Sequence, residues 1–121
     1  MVARWAIPTE IAVRCRISIN SPQLQFAHFD ARLEPSSGHD GIRLRAEWSS
    51  PDDGRWVAAI ERGVERFVAE RQALGRPVCD TTLVMLRVIS HPLVTTEATL
   101  SRHVFETLSR YFDEHASMVV E

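Results

Sequence analysis

Lysine is absent from this chain of 121 residues, and all 14 of its basic side chains are arginine. The 16 acidic residues offset them, so that the formal net charge at pH 7 is only -2. A chain this close to neutral does not bind nucleic acid by bulk charge alone. With 45% hydrophobic and 25% charged residues, the composition is that of an ordinary globular protein, and the length predicts one domain over residues 1–121.

Cysteine is scarce, and long apolar runs are missing. Cys15 and Cys79 belong to no Cys-x-x-Cys pair, which removes the usual zinc-site signature and predicts two buried, reduced thiols. No apolar run reaches the roughly eighteen residues that a membrane-spanning helix needs. Arg4, Glu10 and Arg14 interrupt any apolar segment near the start, so we expect a cytoplasmic protein without a secretory signal or membrane contact.

The motifs of common catalytic and cofactor sites are missing as well. The five glycines are scattered and form no phosphate-binding loop, so neither a GTPase nor another nucleotide site is indicated. The five histidines stand far apart, and no Gly-x-Ser-x-Gly nucleophile elbow occurs. The sequence therefore predicts a protein that is not an enzyme and that has no metal or cofactor.

Hydrophobic periodicity predicts four strands. Apolar and polar residues alternate along 10–19, 25–34 and 42–48, which is typical of strands with one buried face. Residues 79–89 are nearly continuously apolar and indicate a more fully covered central strand. The stretch 35–41 is rich in proline, serine and glycine and is predicted as a loop.

Two helices complete the predicted fold. Ser50 can cap a helix over 51–73, and Thr95 or Thr96 can cap one over 96–115. The order βββαβα predicts an α+β fold, with an antiparallel sheet from the first three strands and both helices on one face. The residues expected in its core include Ile17, Phe29, Leu44, Trp56, Ile60, Leu86, Val104 and Leu108.

The polar face of the first three strands permits two interpretations. Its arginines, with Phe26 and His28 as stacking groups, can form a phosphate-binding surface. Alternatively, ion pairs between strands make it an ordinary solvated face. The second interpretation is favoured, because interleaved acids weaken the attraction of a phosphate. The arginines are Arg14, Arg16, Arg32, Arg43 and Arg45, and the acids are Glu10, Asp30, Glu34 and Glu47.

Six short strings, in the same order, resemble domain IV of bacterial elongation factor G and the matching domain of the tetracycline-resistance ribosomal protection proteins. Gln25-Phe26-Ala27-His28-Phe29 is similar to the family's Gln-Tyr-Gly-His-Val, and Leu74 to Asp80 is similar to Ala-Gly-Tyr-Pro-Val-Val-Asp. The other strings are Pro8 to Ile17, Arg32 to Pro35, Ile60 to Val64 and Ser90 to Glu97, so that the resemblance covers about residues 8–115.

The resemblance implies a two-layer sandwich like domain two of ribosomal protein S five, with a left-handed βαβ crossover. It also implies contact with the decoding region of the small ribosomal subunit through two tip loops, here 18–24 and 90–94. His91 matches the family's tip histidine, whose counterpart in the archaeal and eukaryotic factor is modified to diphthamide. The implied ribosome or RNA contacts are Arg16, Ser21, Pro22, Gln23, Ser90, His91 and Pro92.

Three departures from the family leave the function open between two hypotheses. The GTPase domain is absent, the first tip loop lacks the glycine-rich basic run, and Pro92 and Val94 replace two aspartates. One hypothesis is a translation-factor-like domain that binds the ribosome or ribosomal RNA. The alternative is a protein-interaction or scaffold domain that has lost ribosome binding. His91 is then only a turn residue, and the oligomeric state is open in both cases.

Overall fold

A four-stranded sheet with two helices packed on one face forms the centre of the fold. The computed structural model describes residues 3–17, 27–90 and 95–120. The sheet has the strand order β2-β3-β5-β4, and β1 and β6 form a separate antiparallel pair. This arrangement is the expected α+β sandwich. The strands are β1 (Ala3–Ala6), β2 (Ile11–Ile17), β3 (Ala27–Asp40), β4 (Ile42–Ala46), β5 (Cys79–Ile89) and β6 (Ser117–Val120).

The helices are α1 (Val57–Ala73), preceded by a 3-10 turn over Pro51–Trp56, and α2 (Glu97–His115). Both predicted helices are confirmed, but only one of the predicted caps is. Thr96 Oγ1 accepts a hydrogen bond from the Thr99 N–H at 3.1 Å, whereas the Ser50 side chain caps nothing. In the 3-10 turn, the Asp53 carboxylate instead accepts the Val88 N–H at 3.1 Å and ties the turn to β5.

The strand β4 pairs with β5 in parallel, which corrects the predicted antiparallel sheet of the first three strands. β2 and β3 are antiparallel as expected, and β3 then pairs with β5. The chain changes sides at Gly41, which has a positive φ of 72° and donates its N–H to Val78 O at 2.9 Å. After Gly41 the chain runs along the edge of β5 that faces away from β3. β4 therefore pairs with β5 and not with β3.

Residues 35–40 belong to β3, which corrects the loop predicted over 35–41. Pro35 pairs with Thr81 and Asp40 with Cys79, so the chain between them bulges out of the ladder. Side-chain hydrogen bonds stabilise this bulged segment, which composition had indicated as a loop. Ser36 Oγ lies 2.7 Å from His39 Nε2, and Asp80 Oδ1 accepts the His39 N–H at 3.1 Å. Asp80 itself has a left-handed backbone, with φ at 51°.

The short strands β1 and β6 were not predicted. They pair from Ala3↔Val120 to Ala6↔Ser117, and Trp5 also forms a bridge to Val78. Four residues are too few for periodicity to indicate a strand, and their pairing depends on residues more than 100 positions apart in sequence.

The core lies between the sheet and the two helices. Five of the eight expected core residues are buried, namely Phe29, Trp56, Ile60, Val104 and Leu108. Ile17, Leu44 and Leu86 are only partly buried, which corrects that expectation. Ile17 and Leu44 lie in the two edge strands, and Leu86 is the extra residue of a β-bulge, described below.

Close packing of the helices at Gly63 lets both lie on one face of the sheet. A Cβ at Gly63 would lie 2.6 Å from the Ser101 carbonyl oxygen and 2.8 Å from Val104 Cβ. Four strands about 4.8 Å apart give a narrow platform for two helices of about 10 Å diameter. The lack of a side chain at Gly63 therefore lets the two helices approach closely enough for both to pack on this sheet.

We expect Gly63→Ala to lower the free energy of unfolding by about 1–3 kcal/mol, because the methyl group forces the helices apart. At an unconstrained helical site the same change would raise stability by about 1 kcal/mol. Urea unfolding measures the difference. Gly54→Ala is the control, because its Cβ would meet Trp48 Nε1 at an ordinary 3.7 Å. A Gly63→Ala protein as stable as the wild type would contradict the close approach.

Candidate functional site

The strand ends that flank both expected tip loops lie at one end of the sheet. Ile17 pairs with Ala27, and His28 pairs with Ile89, so β2 and β5 end where β3 begins. We call this the tip end. Of the expected contact residues, Arg16 and Ser90 are described there. Ser21, Pro22, Gln23, His91 and Pro92 lie outside the described residues, as does Phe26.

Three arginines surround one aspartate on the outer face at this end. Arg16 Nη2 lies 2.5 Å from Asp30 Oδ1, Arg87 Nε lies 3.0 Å from Asp30 Oδ2, and Arg14 Nε lies 3.8 Å from Oδ1. Arg16 also donates to the carbonyl oxygens of Cys15 and Phe29. We call Arg14, Arg16 and Arg87 with Asp30 the tip-end patch. Its side chains carry a net charge of +2.

A β-bulge at Leu86 brings Arg87 into the tip-end patch. Ala31 pairs with Met85 but Asp30 pairs with Arg87, so Leu86 is an extra residue in β5. Strict alternation would put Arg87 on the same face as Met85, which is fully buried against the helices. The bulge shifts the alternation by one residue and turns Arg87 outward towards Asp30, a re-aiming that bulges commonly produce.

The other half of the outer face is electrically balanced. Arg32 lies 2.5 Å from Glu34 and 2.8 Å from Glu47, and Arg45 bonds the same two carboxylates. The Arg32 guanidinium holds the pKa of the Glu34 and Glu47 carboxyls below their usual range. With Glu10 and Arg43, three acids face three arginines. The expected ion pairs are therefore confirmed in this half, while the acids are too few at the tip end.

Two further side chains lie at the tip end. His28 occupies the register position opposite Arg16, and burial, aided by the Arg16 charge, lowers the pKa of its imidazole. Arg55 Nη2 lies 3.0 Å from Ser90 Oγ, at the last described residue before 91–94. Sequence reasoning missed Arg55, because it lies in the turn before α1 and no local pattern links it to the end of β5.

The described part of the chain offers no metal centre. No group of three or more histidine, cysteine or acidic side chains there could hold an ion. Cys15 and Cys79 are both buried and in no disulfide, as expected, and burial raises the pKa of the Cys15 thiol. Within the same ranges, no helix is long and apolar enough to cross a membrane.

Comparison with known proteins shows the fold alone. No protein-family model and no curated protein matches the chain. A crystal structure of a protein from Thermus thermophilus aligns with 96% of this chain, with a TM-score of 0.69 and 16% sequence identity. The aligned region is 18% of that protein's chain, so this chain spans less than a fifth of its length. A shared fold does not carry function, which has to be argued from the site.

We expect the pKa of His28 to report on the tip-end patch. Arg16→Gln should raise this pKa, because it removes a neighbouring cation, and Asp30→Asn should lower it further. Titration of the imidazole by NMR measures both shifts, with Arg43→Gln as a control in the balanced half. Shifts of the opposite sign would contradict the described geometry.

The lowered pKa of His28 also makes the free energy of unfolding depend on pH. The folded pKa of His28 lies below the ordinary 6.5, so its neutral form contributes stability above that pH. This contribution to stability is lost as the pH falls through the pKa that His28 has in the folded protein. His103, whose pKa burial also lowers, acts in the same direction, so the free energy of unfolding should decrease from pH 7 towards pH 5.

Proposed function

We propose that this chain is a translation-factor-like, non-catalytic domain of the cytoplasm that binds the ribosome or ribosomal RNA near the decoding region. The observation that carries the proposal is the uneven charge of the outer sheet face. The net charge of +2 is confined to the tip end, beside the strand ends that flank both expected tip loops. A local patch of this kind does not require a basic protein.

Guanidinium groups on neighbouring strands suit phosphate recognition. Arginine presents several N–H donors in a planar fork that can contact a phosphate through two hydrogen bonds. Asp30 holds Arg16 and Arg87 in place but neutralises only one of the three positive charges. Arg14 and Arg87 have side chains 74% and 50% exposed, so their donors can reach a ligand. A neutral, half-buried His28 lies beside them.

The resemblance to domain IV of elongation factor G supports the same surface. In that family the tip loops make the ribosome contact, and the corresponding segments here hold Ser21, Pro22, Gln23, His91 and Pro92. The tip-end patch adjoins the strand ends from which these segments leave.

The alternative, a protein-interaction domain, has its own observation. Met118 and Val120 of β6 are 58% and 47% exposed, and Leu74 after α1 is 64% exposed. Exposed apolar side chains mark a protein-contact surface where they form a contiguous patch, and Met118 and Val120 are two residues apart on one strand. A domain of this kind would not require the tip-end patch.

We expect the purified protein to pellet with small ribosomal subunits at low salt and to be released at moderate salt. Arg14→Gln with Arg87→Gln removes two charges from the tip-end patch while Arg16 keeps its bond to Asp30. This double variant should pellet several-fold less, and the slope of log affinity against log salt should fall by about 1.5 if both arginines contact phosphates.

The matched control is Arg43→Gln with Arg45→Gln, which removes the same charge from the balanced half and should pellet like the wild type. His91→Ala should weaken pelleting if the tip histidine contributes. A wild-type protein that does not pellet at low salt would refute the proposal and favour the protein-interaction alternative. Equal loss in both double variants would show that binding is not located at the tip end.

A further inference from the structure

A groove runs along the free edge of β2, between that strand and α2. Its volume is about 430 Å³, and it lies directly around the edge of the sheet from the tip-end patch. Arg14 and Arg16 border it from β2, and Arg110 borders it from α2. We call this the edge groove. Two of its arginines thus belong to both surfaces.

Arg110 is held against backbone rather than against an acid. Its Nη2 lies 3.4 Å from the Arg14 carbonyl oxygen, and its guanidinium lies 5.1 Å from the centre of the Tyr111 ring. Tyr111 Oη in turn accepts the Arg14 N–H at 3.2 Å. Among the described residues, no carboxylate lies within ion-pair distance of Arg110. Arg110 therefore places a positive charge beside the Arg14 backbone that no carboxylate of the described residues compensates.

The one acidic side chain of the edge groove is already engaged. Glu106 lies 3.1 Å from Arg102 Nε and 3.3 Å from His103 Nδ1. His103 is buried, and burial lowers its pKa, so it adds no positive charge at neutral pH. Asp30 on the outer face compensates Arg16 and lies near Arg14. The surplus positive charge of the groove therefore comes from Arg110 and the exposed Arg14, and an anion would complete the charge balance.

The placement of the available cations suits a ligand with more than one negative charge. Arg14 reaches solvent from β2 with a side chain that is 74% exposed, whereas Arg16 is held by Asp30 and by two carbonyl oxygens. Arg110 adds a second available cation from α2. A single small anion would use only one of these positions.

We infer that the edge groove binds the phosphodiester backbone of single-stranded RNA and extends the tip-end patch around the edge of the sheet. This inference rests on the proposed function and names a second binding surface for the same ligand class. The backbone follows β2, with phosphates at Arg14 and Arg110. Contacts of this kind strengthen binding without selecting a base sequence.

The test uses the full chain and a fluorescently labelled oligouridylate, with affinity measured by fluorescence anisotropy over a series of salt concentrations. Arg110→Gln should weaken binding about fivefold and reduce the salt slope by about 0.7, the loss of one phosphate contact on a single strand. Arg76→Gln is the matched control. It removes an exposed arginine beyond the end of α1 that does not line the edge groove, and it should change neither quantity.

A variant with the opposite expected effect distinguishes a loss of charge from damage to the fold. Glu106→Gln removes the only carboxylate of the edge groove and should tighten binding about twofold, an outcome that damage to the fold would not produce. Arg110→Gln indistinguishable from Arg76→Gln would overturn the inference. Displacement of the RNA by polyglutamate at equal charge concentration would also overturn it, since the groove would then accept acidic peptides.

The two proposals fail in different ways. If the wild type pellets with ribosomal subunits and Arg110→Gln does so equally well, the edge groove is refuted while the proposed function stands. If the wild type binds oligouridylate through Arg110 but does not pellet, the edge groove stands and ribosome binding is refuted.

Discussion

At Gly63 the backbone of α1 comes so close to Ser101 and Val104 of α2 that no side chain fits between the helices. This close contact lets both helices lie on one face of a four-stranded sheet. The opposite face carries no helix in the described structure, so its charged side chains reach solvent and form ion pairs with one another. The location of the charged surface follows from this packing, because a helix on each side would have buried it.

The exposed face has two regions, which differ in how many carboxylates pair with their arginines. Near Arg32 and Arg45 the carboxylates are as numerous as the guanidinium groups, and charge cancels over a few ångströms. At the tip end, Asp30 alone faces three arginines. A nearly neutral protein thereby obtains a basic region from the distribution of its charges. Net charge is a poor guide to binding when ion pairs are segregated in this way.

The side chains that cover the free edge of β2 also border the edge groove. A free strand edge exposes unpaired backbone groups that invite pairing with another chain. Here Tyr111 and Arg110 of α2 engage the N–H and carbonyl of Arg14, and the neighbouring charges discourage a second strand. Arg110, which covers the edge of β2, is also one of the arginines that make the groove basic. The protein-interaction alternative therefore depends on the apolar side chains of β6 rather than on this edge.

The sequence by itself determined the strands β2 to β5, the inward faces of β2 and β3, both helices, a threonine cap at residue 95 or 96 and the burial of the cysteines. Each depends on periodicity or chemistry within a few neighbouring residues. Only the tertiary structure decided the pairing of β4 with β5, the extension of β3, and the positions of Arg55, Arg87 and Arg110. Arg87 shows the reason: one extra residue at Leu86 reverses which face it occupies, and that slip is fixed by the partner strand β3. Local patterns say how a segment alternates, whereas its register is a property of two strands together.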